Sequence, residues 1–219
     1  MSKRGRTTRS RRQAQDTPGE VYVTEYDVTS SPIRDRRYRQ LPRRVKDAIE
    51  RLYDEINRRP LKAIPELLEL IKKYPDMPML YNYLSVAYSV AGQYEKAQAL
   101  AEENYRRYPD YLFARLNYAE ICLAGGEYDK IAEIFEQKFD LKLLYPKRKR
   151  FHISEVASFM GLIGVYFFET GERKAAEMYY EILRQMAPDY PMTKRLRRKL
   201  FPNLLQRLWL RLVGRSQSS

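Results

Sequence analysis

The stretch Tyr81–Pro109, YNYLSVAYSVAGQYEKAQALAEENYRRYP, contains two features that return further along the chain. Gly92 opens Gly-Gln-Tyr-Glu-Lys-Ala, Gly126 opens Gly-Glu-Tyr-Asp-Lys-Ile and Gly171 opens Gly-Glu-Arg-Lys-Ala-Ala, at intervals of 34 and then 45 residues. Pro-Asp pairs begin at Pro75, Pro109 and Pro188; the first two are again 34 residues apart, and the third follows after 79, two such periods plus 11 residues. A unit of this length is a pair of short helices. One pair cannot bury its own apolar face, so successive pairs must stack.

This pattern resembles the tetratricopeptide repeat, in roughly three and a half units over about two thirds of the chain. With Pro109 as the closing proline, Tyr81, Leu84, Ser85, Tyr88, Ala97 and Ala101 fall on the family's Trp, Leu, Gly, Tyr, Ala and usually aromatic positions. Ser85 is a small-for-small change and Ala101 departs. The unit ending at Pro188 matches more closely, with Ile163, Gly164, Phe167, Ala176 and Tyr180. The unit between them supplies Tyr118, Ala119, Cys122, Ile131 and Phe135, but has Leu143 where the proline belongs, just where the extra residues enter. The earliest unit keeps only its second half, in Ala63, Leu67, Leu70 and Pro75. The resemblance implies an all-α fold: a right-handed solenoid of helical hairpins, with first helices lining a concave groove and second helices outside. Small residues such as Gly164 and Ala176 let paired helices approach, while Tyr88, Phe167 and Tyr180 fill the space around them.

Charge is distributed unevenly over the 219 residues, whose formal total is +13. Residues 1–45 hold 12 Lys/Arg against 5 Asp/Glu, and residues 190–219 hold 8 Lys/Arg and no acid, so the middle carries 21 bases and 23 acids. The repeat body is nearly neutral. Whatever it binds need not be acidic, whereas a partner of the tails should be. The single cysteine, Cys122, excludes an internal disulfide and fits a reducing compartment; its place on a first helix predicts a buried apolar role. The start MSKRGRTTRSRR lacks the apolar segment of a secretory signal, and no run reaches the ~18 apolar residues of a membrane span, so a cytoplasmic protein, free or peripheral on a membrane surface, is expected.

Three divisions follow: a basic, disordered arm over 1–41, the repeat domain over 42–190, and a basic helical segment over 191–219. Residues 21–28, VYVTEYDV, are β-branched and aromatic and predict an extended segment, yet the chain offers it no evident strand partner. It is read as a loose arm, or as a segment laid along the solenoid in its groove. Helices are expected over 42–57, where Val45, Ile49, Leu52, Tyr53 and Ile56 form one stripe, and over 61–73, 78–91, 94–107, 112–124, 128–140, 153–170 and 173–187. Gly92, Gly126 and Gly171 fall where a helix ends in a left-handed turn.

No catalytic constellation is apparent. One His, one Cys, no phosphate loop and no paired metal-ligand spacing predict neither enzyme activity nor a cofactor nor a metal site, for which His152 lacks partners. Binding sites are expected in three places. The first is the groove, which in the family's frame is lined by Met79, Asn82, Tyr83, Val86 and Ser89, then Phe113, Leu116, Asn117 and Glu120, then Ser158, Leu162, Val165 and Phe168. Asn82 and Asn117 suit the backbone of an extended peptide, and the aromatics offer apolar pockets; several of these residues could instead pack against the next repeat. One subfamily clamps a peptide's terminal carboxylate with Lys, Asn and Arg. Asn117 matches one such position, but Asn82, Val86, Ser158 and Leu162 bring no base, so the groove should prefer a mixed apolar and polar segment.

The second place is anionic contact through Arg4, Arg6, Arg9, Arg11 and Arg12, through Lys147, Arg148, Lys149 and Arg150 in an insertion at about 141–156 beside Tyr145 and Phe151, and through Lys194, Arg195, Arg197, Arg198 and Lys199. The third is a helix over 203–213, with Leu204, Leu205, Leu208, Trp209 and Leu212 on one face and Arg207 and Arg211 at its edge. It would either cap the array or lie on an anionic membrane surface. The leading expectation is a non-catalytic adaptor holding an extended or helical protein segment in its groove, with basic tails on an acidic partner. The alternatives are a nucleic-acid- or ribosome-associated factor, and a peripheral membrane assembly factor anchored by 203–213.

Overall fold

A computed structural model describes residues 26–33 and 35–202. Among them the order is β1 (Asp27–Thr29), α1 (Arg36–Gln40), α2 (Arg43–Glu55), α3 (Pro60–Lys73), α4 (Pro78–Val90), α5 (Tyr94–Arg107), α6 (Leu112–Ala124), α7 (Tyr128–Ile134), α8 (Leu141–Leu144), β2 (Arg150–His152), α9 (Ile153–Glu169), α10 (Arg173–Met186) and α11 (Pro191–Leu200). The protein is predominantly helical. Helices α4 and α5 pair, as do α6 with α7 and α9 with α10, and the pairs stack in chain order through contacts of α3 with α4, α4 and α5 with α6, and α6 with α9.

The same turn closes the first helix of each pair. Gly92, Gly126 and Gly171 have φ of 76°, 73° and 87°, the left-handed region that a side chain disfavours. Each lets the next residue's N–H reach back to satisfy a free helix carbonyl: Gln93 to Tyr88, Glu127 to Cys122 and Glu172 to Phe167, at 2.8–2.9 Å. Prolines at the first turn of α3, α4 and α11 fix the opposite ends, where their missing N–H costs nothing.

Two apolar cores result. The first gathers Tyr38, Leu41, Ile49, Leu52, Leu67, Leu80 and Leu84; the second runs from Ala101 and Leu112 through Phe135, Phe151 and Tyr179 to Leu200. Between them α4 meets α5 across a polar seam: Ser85 Oγ donates to Ala97 O at 2.8 Å, and the buried Asn104 donates to Pro78 O at 3.2 Å. The small Ala101, which departs from the repeat pattern, is fully buried here.

Three expectations are corrected. Helix α7 stops at Ile134 rather than 140, because the guanidinium of Arg115, 5% exposed on α6, donates to Ile134 O at 2.5 Å and to Glu136 Oε1 at 2.8 Å. The chain then turns through Glu136 and Gln137, both at positive φ, and Gln137 N bonds Ala132 O.

The extended segment does have a strand partner. Asp27, Val28 and Thr29 pair in parallel with Arg150, Phe151 and His152 of the insertion. Tyr26 packs edge-on against Phe151 with ring centres 5.0 Å apart, and Ser30 O meets His152 Nε2 at 3.1 Å. From there the chain runs back along the starts of the first helices: Arg37 donates to Asp76 O just before α4 and lies over Tyr108 just before α6, and Tyr38 is buried in the first core. The arm's last residues therefore belong to the body; residues 1–25 lie outside the described residues.

The body also extends past residue 190. Helix α11 buries Thr193, Leu196 and Leu200 against α9 and α10. Room for it comes from Gly161 and Gly164, where a Cβ would stand 2.5 Å from Met192 Cβ and from Leu196 Cδ2 respectively. The 203–213 segment lies outside the described residues.

The arm's docking carries a pH signature. Burial, with a smaller contribution from Asp140, pushes the Tyr26 phenol from its ordinary value of 10 up to about 12. Burial does the same to Tyr145, to about 12, against the opposing pull of Arg115 and Arg148. Raised acids favour the folded state fully below their unfolded pKa, and that contribution disappears as pH climbs through the folded value. Stability should hold to about pH 10 and fall toward pH 12. Denaturant titrations should show a shallower fall for the Tyr26→Phe, Tyr145→Phe double variant; an equally steep one would show that these phenols do not govern the loss.

Candidate functional site

The face formed by the first helices α4, α6 and α9 is where the groove residues were expected, and its positions divide into three groups. Leu116, Leu162 and Val165 are 5%, 1% and 0% exposed. They pack in the core, as the alternative reading of these positions allowed. Glu120 and Phe168 are covered by α11: Arg195 pairs with Glu120, while Lys199 pairs with Glu169 and lies 5.9 Å from the centre of the Phe168 ring. Met79, Asn82, Tyr83, Val86, Phe113, Asn117 and Ser158 are partly exposed, and Ser89 is exposed.

Tyrosines dominate the α4 end of this face. Tyr53 of α2 meets Tyr83 at 5.5 Å between ring centres, and Tyr38 packs in the same cluster while its hydroxyl donates to Glu50 at 2.9 Å. Burial foremost, then the neighbouring Tyr53, Tyr38, Glu50 and Asp54, raises the Tyr83 phenol well above its ordinary range. Tyr111, at the entrance to α6, is raised chiefly by burial as well. Both remain neutral hydrogen-bonding groups at any physiological pH.

Among the described residues four buried side-chain atoms make no hydrogen bond: Asn104 Oδ1, the Tyr145 hydroxyl, and two on the first helices. Asn82 Oδ1 on α4 and Asn117 Nδ2 on α6 are buried and make no hydrogen bond. Their demands are opposite: the first needs a donor, the second an acceptor. Each buried atom left unpaired costs about 1–3 kcal/mol; because both are buried, a ligand offering an N–H and a C=O would meet them only once the two side chains turn toward it. Sequence frame singled out both asparagines; their lack of partners is visible only in three dimensions.

The basic cluster of the insertion is largely committed to structure. Arg148 forms a two-pronged pair with Glu155, at 3.0 and 2.8 Å, and its guanidinium lies 4.1 Å from the centre of the Phe151 ring. Phe151 is fully buried, so it presents no face to a base. Arg150 reaches Asp27 at 3.4 Å, whereas Lys147 and Lys149 are exposed. His152 caps α9: Ser154 N donates to its Nδ1 at 3.2 Å, and Glu155 completes the capping box. Of the α11 cations, Arg195 and Lys199 are paired as above, Lys194 reaches the exposed Asp189 at 3.2 Å, and Arg197 and Arg198 point to solvent. Arg4, Arg6, Arg9, Arg11 and Arg12 lie outside the described residues, as do Leu204, Leu205, Arg207, Leu208, Trp209, Arg211 and Leu212.

Cys122 is 1% exposed, and burial raises its thiol. Among the described residues no group of three or more His, Cys, Asp or Glu side chains could hold a metal ion, and no helix is long and apolar enough to cross a membrane. The residue that sequence reasoning missed is Arg115, which replaces the aromatic side chain that Tyr81 supplies one unit earlier; only its burial reveals its role. Compared with family models, curated proteins and solved structures, the chain matches none.

Proposed function

We propose that this chain is a non-catalytic adaptor with a tetratricopeptide-like solenoid, holding an extended protein segment across its first helices. Ordered stacking of helical pairs, with the same glycine turn after α4, α6 and α9, supports the solenoid. The observation that carries the binding role is the pair of buried, unpartnered atoms Asn82 Oδ1 and Asn117 Nδ2 on contacting helices. A peptide backbone supplies alternating donors and acceptors, so it offers each of the two atoms the kind of partner it lacks. The surrounding Met79, Tyr83, Val86 and Phe113 would receive apolar side chains.

Peptides selected from a random phage-displayed library against the full chain provide the test. Asn82→Leu and Asn117→Leu should each weaken a selected peptide about tenfold, one hydrogen bond's worth, with little change between low and high salt. Unliganded stability in urea should hold or rise, since each leucine removes an unsatisfied polar atom. Affinity that survives the double substitution would sink the reading.

A further inference from the structure

The second helices of the four units align on Ala63, Ala97, Ile131 and Ala176, each buried at the matching place in α3, α5, α7 and α10. Two residues before that point and five after it, the later units are charged: Glu95 and Glu102 on α5, Lys174 and Glu181 on α10, and Asp129 at the start of α7. Helix α3 departs from this. It places Leu61, 69% exposed, and Leu68, 38% exposed, at the two positions, with the exposed Pro65 between them. The spacing i, i+4, i+7 sets the three in one ridge along the helix. Nothing in the helical hairpin asks for leucine there, since the other units carry charge instead. Beside the ridge runs a crevice between α2 and α3, lined by Ala48, Pro65 and Leu70 and rimmed by Glu66, Glu69 and Lys73.

We propose that this face of α3 is the contact between two copies of the chain, with the two α3 helices crossing antiparallel about a twofold axis at Pro65. Ridge and crevice lie on the same helix, so each copy gives its leucines to the other's crevice and receives the other's in return, as an isologous contact requires. Leu61 of one copy meets Leu68 of the other on both sides of the axis. The same crossing brings Lys62 of each beside Glu69 of the other, so the flanks are self-complementary in charge as well. Glu69 is available for this, because its 2.7 Å pair with Lys72 is exposed on both sides and worth little in water. The carboxylates of Glu66 and Glu69 along the rim disfavour an anionic lipid surface as the occupant. One helix per side makes a small interface, so the dimer should be reversible and weak.

The contact uses a second helix rather than the face of the first helices, and it does not depend on peptide binding. Sedimentation velocity of the full chain from about 5 to about 500 µM should show one chain passing to two. Added salt should strengthen the dimer, because it screens the repulsion between chains of net charge +13. Leu61→Glu, Leu68→Glu, which installs the residues that α5 carries, should weaken association at least about a hundredfold, since four leucines per dimer lose their cover. Circular dichroism of that variant should be unchanged. Lys62→Glu alone and Glu69→Lys alone should each weaken the dimer about fivefold, and the two together should restore it. A chain that stays single over this range, a dimer untouched by the leucine double substitution, or charge reversals that add instead of cancelling would overturn the proposal.

Discussion

Replacing Arg115 with methionine is expected to destabilise the protein by about 3 kcal/mol, although the substitution keeps the side chain's length and removes a buried charge. The guanidinium donates to three acceptors on separate parts of the chain: Pro109 O at 2.5 Å, Ile134 O at 2.5 Å and Glu136 Oε1 at 2.8 Å. The Glu136 contact contributes least, because that side chain is 47% exposed and water can replace its partner. The cost lies in the two carbonyls. A methionine would bury them without a donor, at about 1–3 kcal/mol each. The Ile134 carbonyl also marks the end of α7, so the turn through Glu136 and Gln137 should fray first. Urea denaturation measures the total, and amide exchange at Gln137, whose N–H bonds Ala132 O, locates it. A loss below about 1 kcal/mol would mean that the carbonyls find other donors and that Arg115 does not set the length of α7.

Leu196→Ala should be comparably damaging, at about 2–5 kcal/mol, because Leu196 is fully buried and its removal leaves a cavity against α9. The same position offers a sharper experiment. A Cβ built on Gly164 stands 2.5 Å from Leu196 Cδ2, 3.4 Å from Cδ1 and 3.2 Å from Tyr179 Cβ. Gly164→Ala alone therefore overpacks the α9–α11 contact, at about 1–3 kcal/mol less whatever helix propensity alanine returns. In the double variant the new methyl enters the space the leucine has left, and the Tyr179 contact is close enough to be met by a small shift. The double variant should be more stable than the sum of the two single effects predicts, by about 1 kcal/mol or more. Simple additivity would show that α11 is not seated on Gly164 in solution.

Helices α3 to α6, α9 and α10 were legible in the sequence nearly to the residue, because their ends are fixed by local chemistry. Gly92, Gly126 and Gly171 supply left-handed turns, and Pro60 and Pro78 supply first-turn prolines. Where the sequence misled, a distant contact had overruled local preference. Helix α7 continues in periodicity past Ile134, but Arg115 from the preceding helix takes its carbonyl. Strand β1 finds its partner across 123 residues, and three-residue strands leave no local trace of their pairing. Helix α11 did leave a trace, in the i, i+3, i+7 spacing of Thr193, Leu196 and Leu200; five cations among ten residues obscured it. The candidate site was legible as a set of positions and not as an arrangement. The frame identified Asn82 and Asn117, but it could not distinguish Leu116, Leu162 and Val165, which face the core, from neighbours that do not.

Whether the asparagine pair on α4 and α6 receives a peptide backbone is read from the side-chain amide signals of Asn82 and Asn117 in a ¹⁵N-labelled sample. Titration with a selected peptide should move both pairs of amide signals together, at the same midpoint as binding. Saturation of the protein by the peptide with both amides unmoved would place the ligand elsewhere on the chain.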